Sequence, residues 1–311
     1  MYFTYITALE HLKISAPIVE PISIGNGLFL GTSIKHVKIP NLALYAPSMG
    51  RLEFNGIFGG SVFVFKRAHA INLDAGKIEL INFMRNVNAY IHVLWLMRDN
   101  SVNFGLGFAL CESEEFIHSN SLSQYYTKSD GQISELELSL DEVEESAGIV
   151  GEVFSGAKEQ EFPKFTALQK STDRLSASNF HLQTARSNND LGLKIAQMCT
   201  YFECLFSTST AELSHQLSER IAFFIESEPV ERLKTYKQIK KAYSIRSKIV
   251  HGDRINKNLN ELVEISSFCD DVARKINEII LPNAELVRIL NSPDQSLLDS
   301  YMVNLIFGVK S

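Results

Sequence analysis

Tyr243-Ser244-Ile245-Arg246-Ser247-Lys248-Ile249-Val250-His251-Gly252 reads as a helix that stops. Tyr236, Ile239, Tyr243, Arg246 and Val250 recur at steps of three and four, which places them on one stripe of a helix. Gly252 follows where a glycine closes a helix by taking up the left-handed conformation. Pro229 sits where a first-turn proline belongs.

The neighbouring segments carry the same patterning. Upstream, Leu191, Ile195, Met198, Phe202 and Leu205 step by four, three, four and three. Ser209 and Glu212 have the spacing of a capping box, ahead of a stripe of Leu213, Leu217, Arg220 and Phe224. Downstream, Leu262, Ile265, Cys269, Val272, Ile276 and Ile279 mark a fourth helix. Four amphipathic helices with short connections predict a bundle. The segment Leu297–Phe307 is a further amphipathic stretch, suited to docking on the bundle or on a partner.

The character changes near Pro163. Before it, residues 14–73 read as strands and turns, with short apolar runs at Phe29–Leu30, Leu42–Tyr45 and Val62–Phe65 between glycines and prolines. A helix is predicted over 76–98, from Ile78, Ile81, Met84, Val87, Ile91, Leu94 and Met97. Asn103–Leu110 reads as a strand, and Ile133–Leu140 as another within an acidic, serine-rich stretch from Glu112 to about Ser155. The expected class is α+β: a strand-rich domain over 1–162 and an all-helical domain over 163–311.

Composition narrows the function. A net charge of −6 and a hydrophobic share of 45% describe a protein with a sizeable core and no global affinity for nucleic acid. The balance inverts locally. Between Pro229 and Lys257 stand nine basic residues against two acids, Glu231 and Asp253. Lys240, Lys241, Lys248 and Arg254 in this stretch are the expected phosphate contacts. No long uninterrupted apolar run indicates a membrane span, and the first residues lack the features of a signal peptide. Cys111, Cys199, Cys204 and Cys269 are scattered without a C-x-x-C pair, so reduced thiols in a cytoplasmic protein are expected, with no metal or cofactor. Gly25-Asn26-Gly27 with Gly31 lacks the spacing and setting of a dinucleotide fingerprint.

The residues from Tyr243 to Gly252 resemble the HEPN superfamily of ribonucleases, most closely its ApeA-like branch, whose pattern reads Y-x-x-R-S-x-I-V-H-G near a helix end. Phe202-Glu203-Cys204-Leu205-Phe206 matches the family's upstream L/F-E-x-L-F helix, and Arg220 falls where the family carries an arginine on its second helix. The similarity spans roughly residues 185–282. It implies a homodimer whose two motifs face each other in a composite cleft, with Arg246 and His251 catalytic and Tyr243, Ser247, Glu203 and Arg220 supporting them. It also implies RNA as substrate, an effector role in anti-phage defence or a toxin-like system, and an N-terminal domain that senses a protein or phage-derived trigger or restrains the nuclease. A HEPN module that binds RNA or a partner protein without cutting is the alternative.

Elementary chemistry suits this pair. Histidine moves protons near neutral pH. Arginine carries permanent charge and binds two phosphate oxygens at once. At the end of a helix, the dipole favours a charged imidazole. Five residues separate Arg246 from His251, about 140° around an ideal helix, so the two cannot share a narrow face.

Overall fold

The computed structural model describes residues 1–39, 45–122, 124–154, 173–209 and 213–309. The described chain forms two compact units, one rich in sheet and one helical.

The first unit is built on β1 (Tyr2–Glu10), which pairs antiparallel with β5 (Phe63–His69) on one side and β7 (Gly107–Cys111) on the other. The short strands β2 (Leu12–Ile14), β3 (Ile22–Ser23), β4 (Phe29–Gly31), β6 (Asn103–Phe104), β8 (Phe116–Asn120) and β9 (Leu136–Leu138) complete the set. The main sheet runs β3-β4-β5-β1-β7-β8, with β6 also on β1, while β2 and β9 pair in parallel apart from it. Side chains alternate along β1, as a two-residue period requires. Phe3, Tyr5 and Leu9 enter the core under α3 (Leu73–Met97), whereas Ile6 and Ala8 face a smaller core holding Tyr45, Met49 and Ile57 from α1 (Ala46–Met49), α2 (Arg51–Phe58) and their flank. Gly76 permits the close approach of α3, since a Cβ there would fall 2.4 Å from the Phe3 ring. A further helix, α4 (Leu140–Phe154), lays Val143 and Val150 on the larger core, and its Ser146 hydroxyl donates to Tyr90.

Several expectations are corrected here. The stretch 14–73 is not all strand and turn, because α1 and α2 interrupt it; residues 42–44 of the Leu42–Tyr45 run lie outside the described residues. The helix predicted over 76–98 begins at Leu73, capped by the Asn72 side chain, and Ile78 points outward while Leu80, Phe83 and Tyr90 fill the core. The Asn103–Leu110 strand is two, β6 and β7. Gly25 and Gly27, both at positive φ, form the tight turn between β3 and β4.

The second unit contains α5 (Arg174–Arg186), α6 (Leu191–Phe206), α7 (Leu213–Ile225), α8 (Pro229–His251), α9 (Leu259–Ile280), α10 (Ala284–Leu290) and α11 (Gln295–Phe307). All five stripe residues of α6 are buried, and α6 packs against α5, α8 and α9. Asn258 and Glu261 form a reciprocal capping box at the start of α9, while Glu212 of the box predicted for α7 lies outside the described residues. The unit is not contiguous in sequence. Thr127–Gln132 belongs to it as a strap ahead of the predicted boundary at 163, a position itself outside the described residues. The Thr127 amide donates to the Arg186 carbonyl at 2.9 Å and its hydroxyl to the Asn188 carbonyl at 2.7 Å. The Ser266 hydroxyl donates to the Ser129 carbonyl at 2.6 Å, and the Ser129 and Ser267 hydroxyls meet at 2.9 Å. Gly131 turns the strap at φ 78°.

Candidate active site

The end of α8 is fixed by backbone geometry. Gly252 takes the left-handed conformation, its amide donates to the Ile249 carbonyl at 3.2 Å, and the Asp253 amide reaches back to the Lys248 carbonyl at 2.8 Å. This pair of bonds is a Schellman closure, which only a residue tolerant of positive φ permits without strain. It makes His251 the last helical residue. The start of α6 packs behind this end: a Cβ on Gly192 would lie 3.1 Å from Ile249 and 3.2 Å from Ile255.

His251 is exposed and forms no hydrogen bond or ion pair with a described residue. Arg246 lies on the other side of the helix. Its Nη2 donates to Oε2 of Glu203 on α6 at 3.3 Å, and its guanidinium sits 5.4 Å from the centre of the Tyr243 ring. Both partners of the pair are largely buried, with side chains 25% and 16% exposed. Arg246 Nε and Glu203 Oε1 are buried without a hydrogen-bond partner. The pair perturbs its neighbours. Burial, then the Glu203 carboxylate, raises the Tyr243 hydroxyl above its ordinary value, with Arg246 acting against them. Burial also pushes the Cys199 thiol well up, reinforced by Cys269 and Glu203.

One copy of the chain therefore separates the two motif residues. At 100° per residue, Lys237, Lys240, Lys241, Ser244, Lys248 and His251 fall within about 100° of arc, and Arg246 lies diametrically opposite. The structure agrees with that wheel, since Ile239, Ala242 and Ile245 are buried while Lys237, Lys240, Lys241, Ser244 and His251 are exposed. The stripe expected from Tyr236 to Val250 is shifted accordingly: Tyr236 and Tyr243 flank the core and Val250 is exposed. Ser247 and Lys248 are half-buried, and Arg254 is exposed beyond the helix end. Lys237, Lys240, Lys241, Lys248 and Arg254 form no ion pair with a described residue, whereas Lys234 is held by Glu231 and Lys257 by Glu261.

Arg220 is placed away from this group. Only 5% exposed, it donates to the Phe206 carbonyl at 2.6 Å, to Thr208 Oγ1 at 3.0 Å and to Asp299 of α11 at 2.5 Å. Arg174 adds donors to the Cys204 and Ser207 carbonyls at 2.9 and 2.7 Å. The two arginines cap the C-terminus of α6, where orphan carbonyls need donors. Glu203 and Arg220 thus serve different partners, and Arg220 touches neither Arg246 nor His251. No spacing or motif marks Arg174 for this role. The place of Lys237 on the His251 face could have been read from its spacing to Lys240 and Lys241.

Among the described residues, no group of three or more His, Cys, Asp or Glu side chains is placed to hold a metal ion, and no helix is long and apolar enough to cross a membrane. Comparison of the chain with family models, with curated proteins and with solved structures finds no match.

Proposed function

We propose that the helical unit is a HEPN-type endoribonuclease domain that cuts RNA by internal transesterification, with Arg246 and His251 as its catalytic residues. The observation that carries the reading is the placement of His251: an exposed imidazole, without a partner among the described residues, at a firmly closed helix end and continuous with a face of lysines that pair with no described acid. His251 takes the proton of a ribose 2′-hydroxyl, and the 2′-oxygen bonds to the adjacent phosphorus. The bond from phosphorus to the 5′-oxygen breaks, and a protonated imidazole returns a proton to that oxygen. Arg246 offsets the charge that builds on the phosphate oxygens. Since the two residues lie on opposite faces of α8 within one chain, the reading requires two copies, each supplying its motif to a shared cleft. Glu203 and Tyr243 position Arg246 in this scheme.

The test is cleavage of RNA by the full chain in excess EDTA, with the same sequence as DNA for comparison. Fragments bearing a 2′,3′-cyclic phosphate and a 5′-hydroxyl are expected from RNA alone. His251→Ala lowers the rate by on the order of 10²-fold or more. Because His251 has no described partner, this variant keeps the parental melting temperature within a few degrees. Undiminished cleavage by His251→Ala, or cleavage that stops in EDTA, overturns the reading.

A second reading has its own support. Arg246 is engaged by Glu203, while the lysine face is free to meet phosphates. On that basis the unit binds RNA without cutting it. RNA binding that is weakened by loss of the lysines, with no cleavage in any preparation, selects it.

A further inference from the structure

The lysine face extends well beyond the motif, toward the start of α8. Lys237, Lys240, Lys241 and Lys248 precede His251 along α8, covering roughly 21 Å of helix from Lys237 to His251. Beside them, Tyr236 is held at its edge by His215, ring centres 5.7 Å apart and 77° inclined. The Lys240 ammonium lies over the Tyr236 ring, 5.4 Å from its centre. An exposed lysine over a half-buried aromatic ring is a replaceable cover. Ammonium groups in line with an aromatic platform are the two elements by which proteins hold single-stranded nucleic acid: charge follows the phosphates and the ring stacks a base.

We infer that this face of α8 is a track for single-stranded RNA that leads along the helix toward His251. It rests on the nucleic-acid reading of the same helix and adds strand form, direction and residues to it. Lys237, Lys241 and Lys248 neutralise successive phosphates leading to His251. Lys240 swings from Tyr236 onto the backbone as a base stacks on the ring. A duplex cannot use the platform, because its bases are already stacked and its accessible groove presents sugars and edges.

The experiment uses the full chain carrying His251→Ala, so that the probe survives, and a fluorescein-labelled oligouridine read by anisotropy at rising potassium chloride. Each ammonium on a phosphate of a single strand contributes about 0.7 to the slope of log affinity against log salt. Adding Lys237→Ala, Lys241→Ala and Lys248→Ala together should therefore lower that slope by about 2. Adding Tyr236→Ala alone should weaken binding about tenfold with the slope kept. Lys275→Ala, at a paired lysine on α9, should change neither. The oligouridine annealed to its complement should bind more weakly than the free strand. Unchanged slope and affinity in the triple variant, equal binding of the duplex, or no binding by the His251→Ala parent each overturns the track. Cleavage measured with His251 intact keeps the two questions apart. Binding without cleavage refutes the nuclease and leaves the track, while cleavage undisturbed by the triple variant refutes the track and leaves the nuclease.

Discussion

Arg246 and Glu203 join α8 to α6 through a 3.3 Å ion pair on the side of α8 opposite His251. The carboxylate is the only described acid paired with this guanidinium, so Glu203→Gln leaves a mostly buried cation uncompensated. We expect a loss of about 1–3 kcal/mol in urea unfolding, reduced from a fully buried pair by the residual exposure of both groups. The same change should lower the Tyr243 pKa, since the carboxylate's charge is one cause of its rise. Phenolate absorbance followed against pH, with Tyr243→Phe to assign the signal, checks this. A Tyr243 titration unmoved by Glu203→Gln would contradict the electrostatic link.

Arg220→Ala should destabilise the helical unit by about 2–4 kcal/mol. It strands the Phe206 carbonyl and frees Asp299, which rehydrates at its half-exposed position and so limits the loss. Arg220→Lys should recover only part, since one ammonium cannot reproduce the planar fork. Any RNA cleavage should fall only as far as unfolding explains. A specific rate loss in folded Arg220→Ala protein would restore the supporting role expected from the sequence.

The helical half was the more legible part of the chain, for physical reasons. The stripe Leu191 to Leu205 is buried throughout because α6 faces neighbours on several sides, and hydrophobic burial imposes helical spacing on the sequence. Gly252 was readable because positive φ is costly for other residues. The strand β1 was not recognised, since Tyr2–Glu10 is buried on both faces and shows no polar alternation. The acidic helix α4 was hidden by its charged outer side, although Val143 and Val150 mark its inner one. At the site, the motif itself was visible, but the partners of Arg246 and Arg220 were not. Sequence spacing gives position on a helix and not which neighbouring helix lies across from it.

Alkaline pH should unfold the first unit through Tyr90. Burial pushes its hydroxyl up to about 12, with the bond from Ser146 acting the other way. A raised folded pKa means that this contribution is fully present below the unfolded value near 10 and is lost as pH climbs toward 12. The decline is about 1.4 kcal/mol per pH unit for one such group. Tyr5, raised in the same direction by burial, steepens it. Urea midpoints between pH 8 and the alkaline limit should fall less steeply in Tyr90→Phe than in the parent. Parallel curves would rule out Tyr90 as a source.

Gly131→Ala tests the strap. The residue sits at φ 78°, and a Cβ would lie 2.5 Å from the Asn189 carbonyl oxygen. Conformational strain alone is worth about 1–2 kcal/mol, and the contact adds to it. We expect a fall of at least about 2 kcal/mol in stability, together with faster amide exchange at Ser129 and Thr127. Full retention of both would show that the strap contributes little.

Because the strap belongs to the helical unit, the order of synthesis matters. Ser129 is made 137 residues before the Ser266 hydroxyl that binds its carbonyl. On the ribosome, domains fold as they emerge, the N-terminal one first. Here the chain delivers the strap early and its receptor on α9 late. Until α9 appears, the Ser129 carbonyl and hydroxyl wait open to water or to chaperones, while Thr127 can already meet Arg186 and Asn188. A ribosome stalled after α8 holds a nascent chain that already contains Arg246 and His251 but lacks this joint, so the motif is made before the strap is locked.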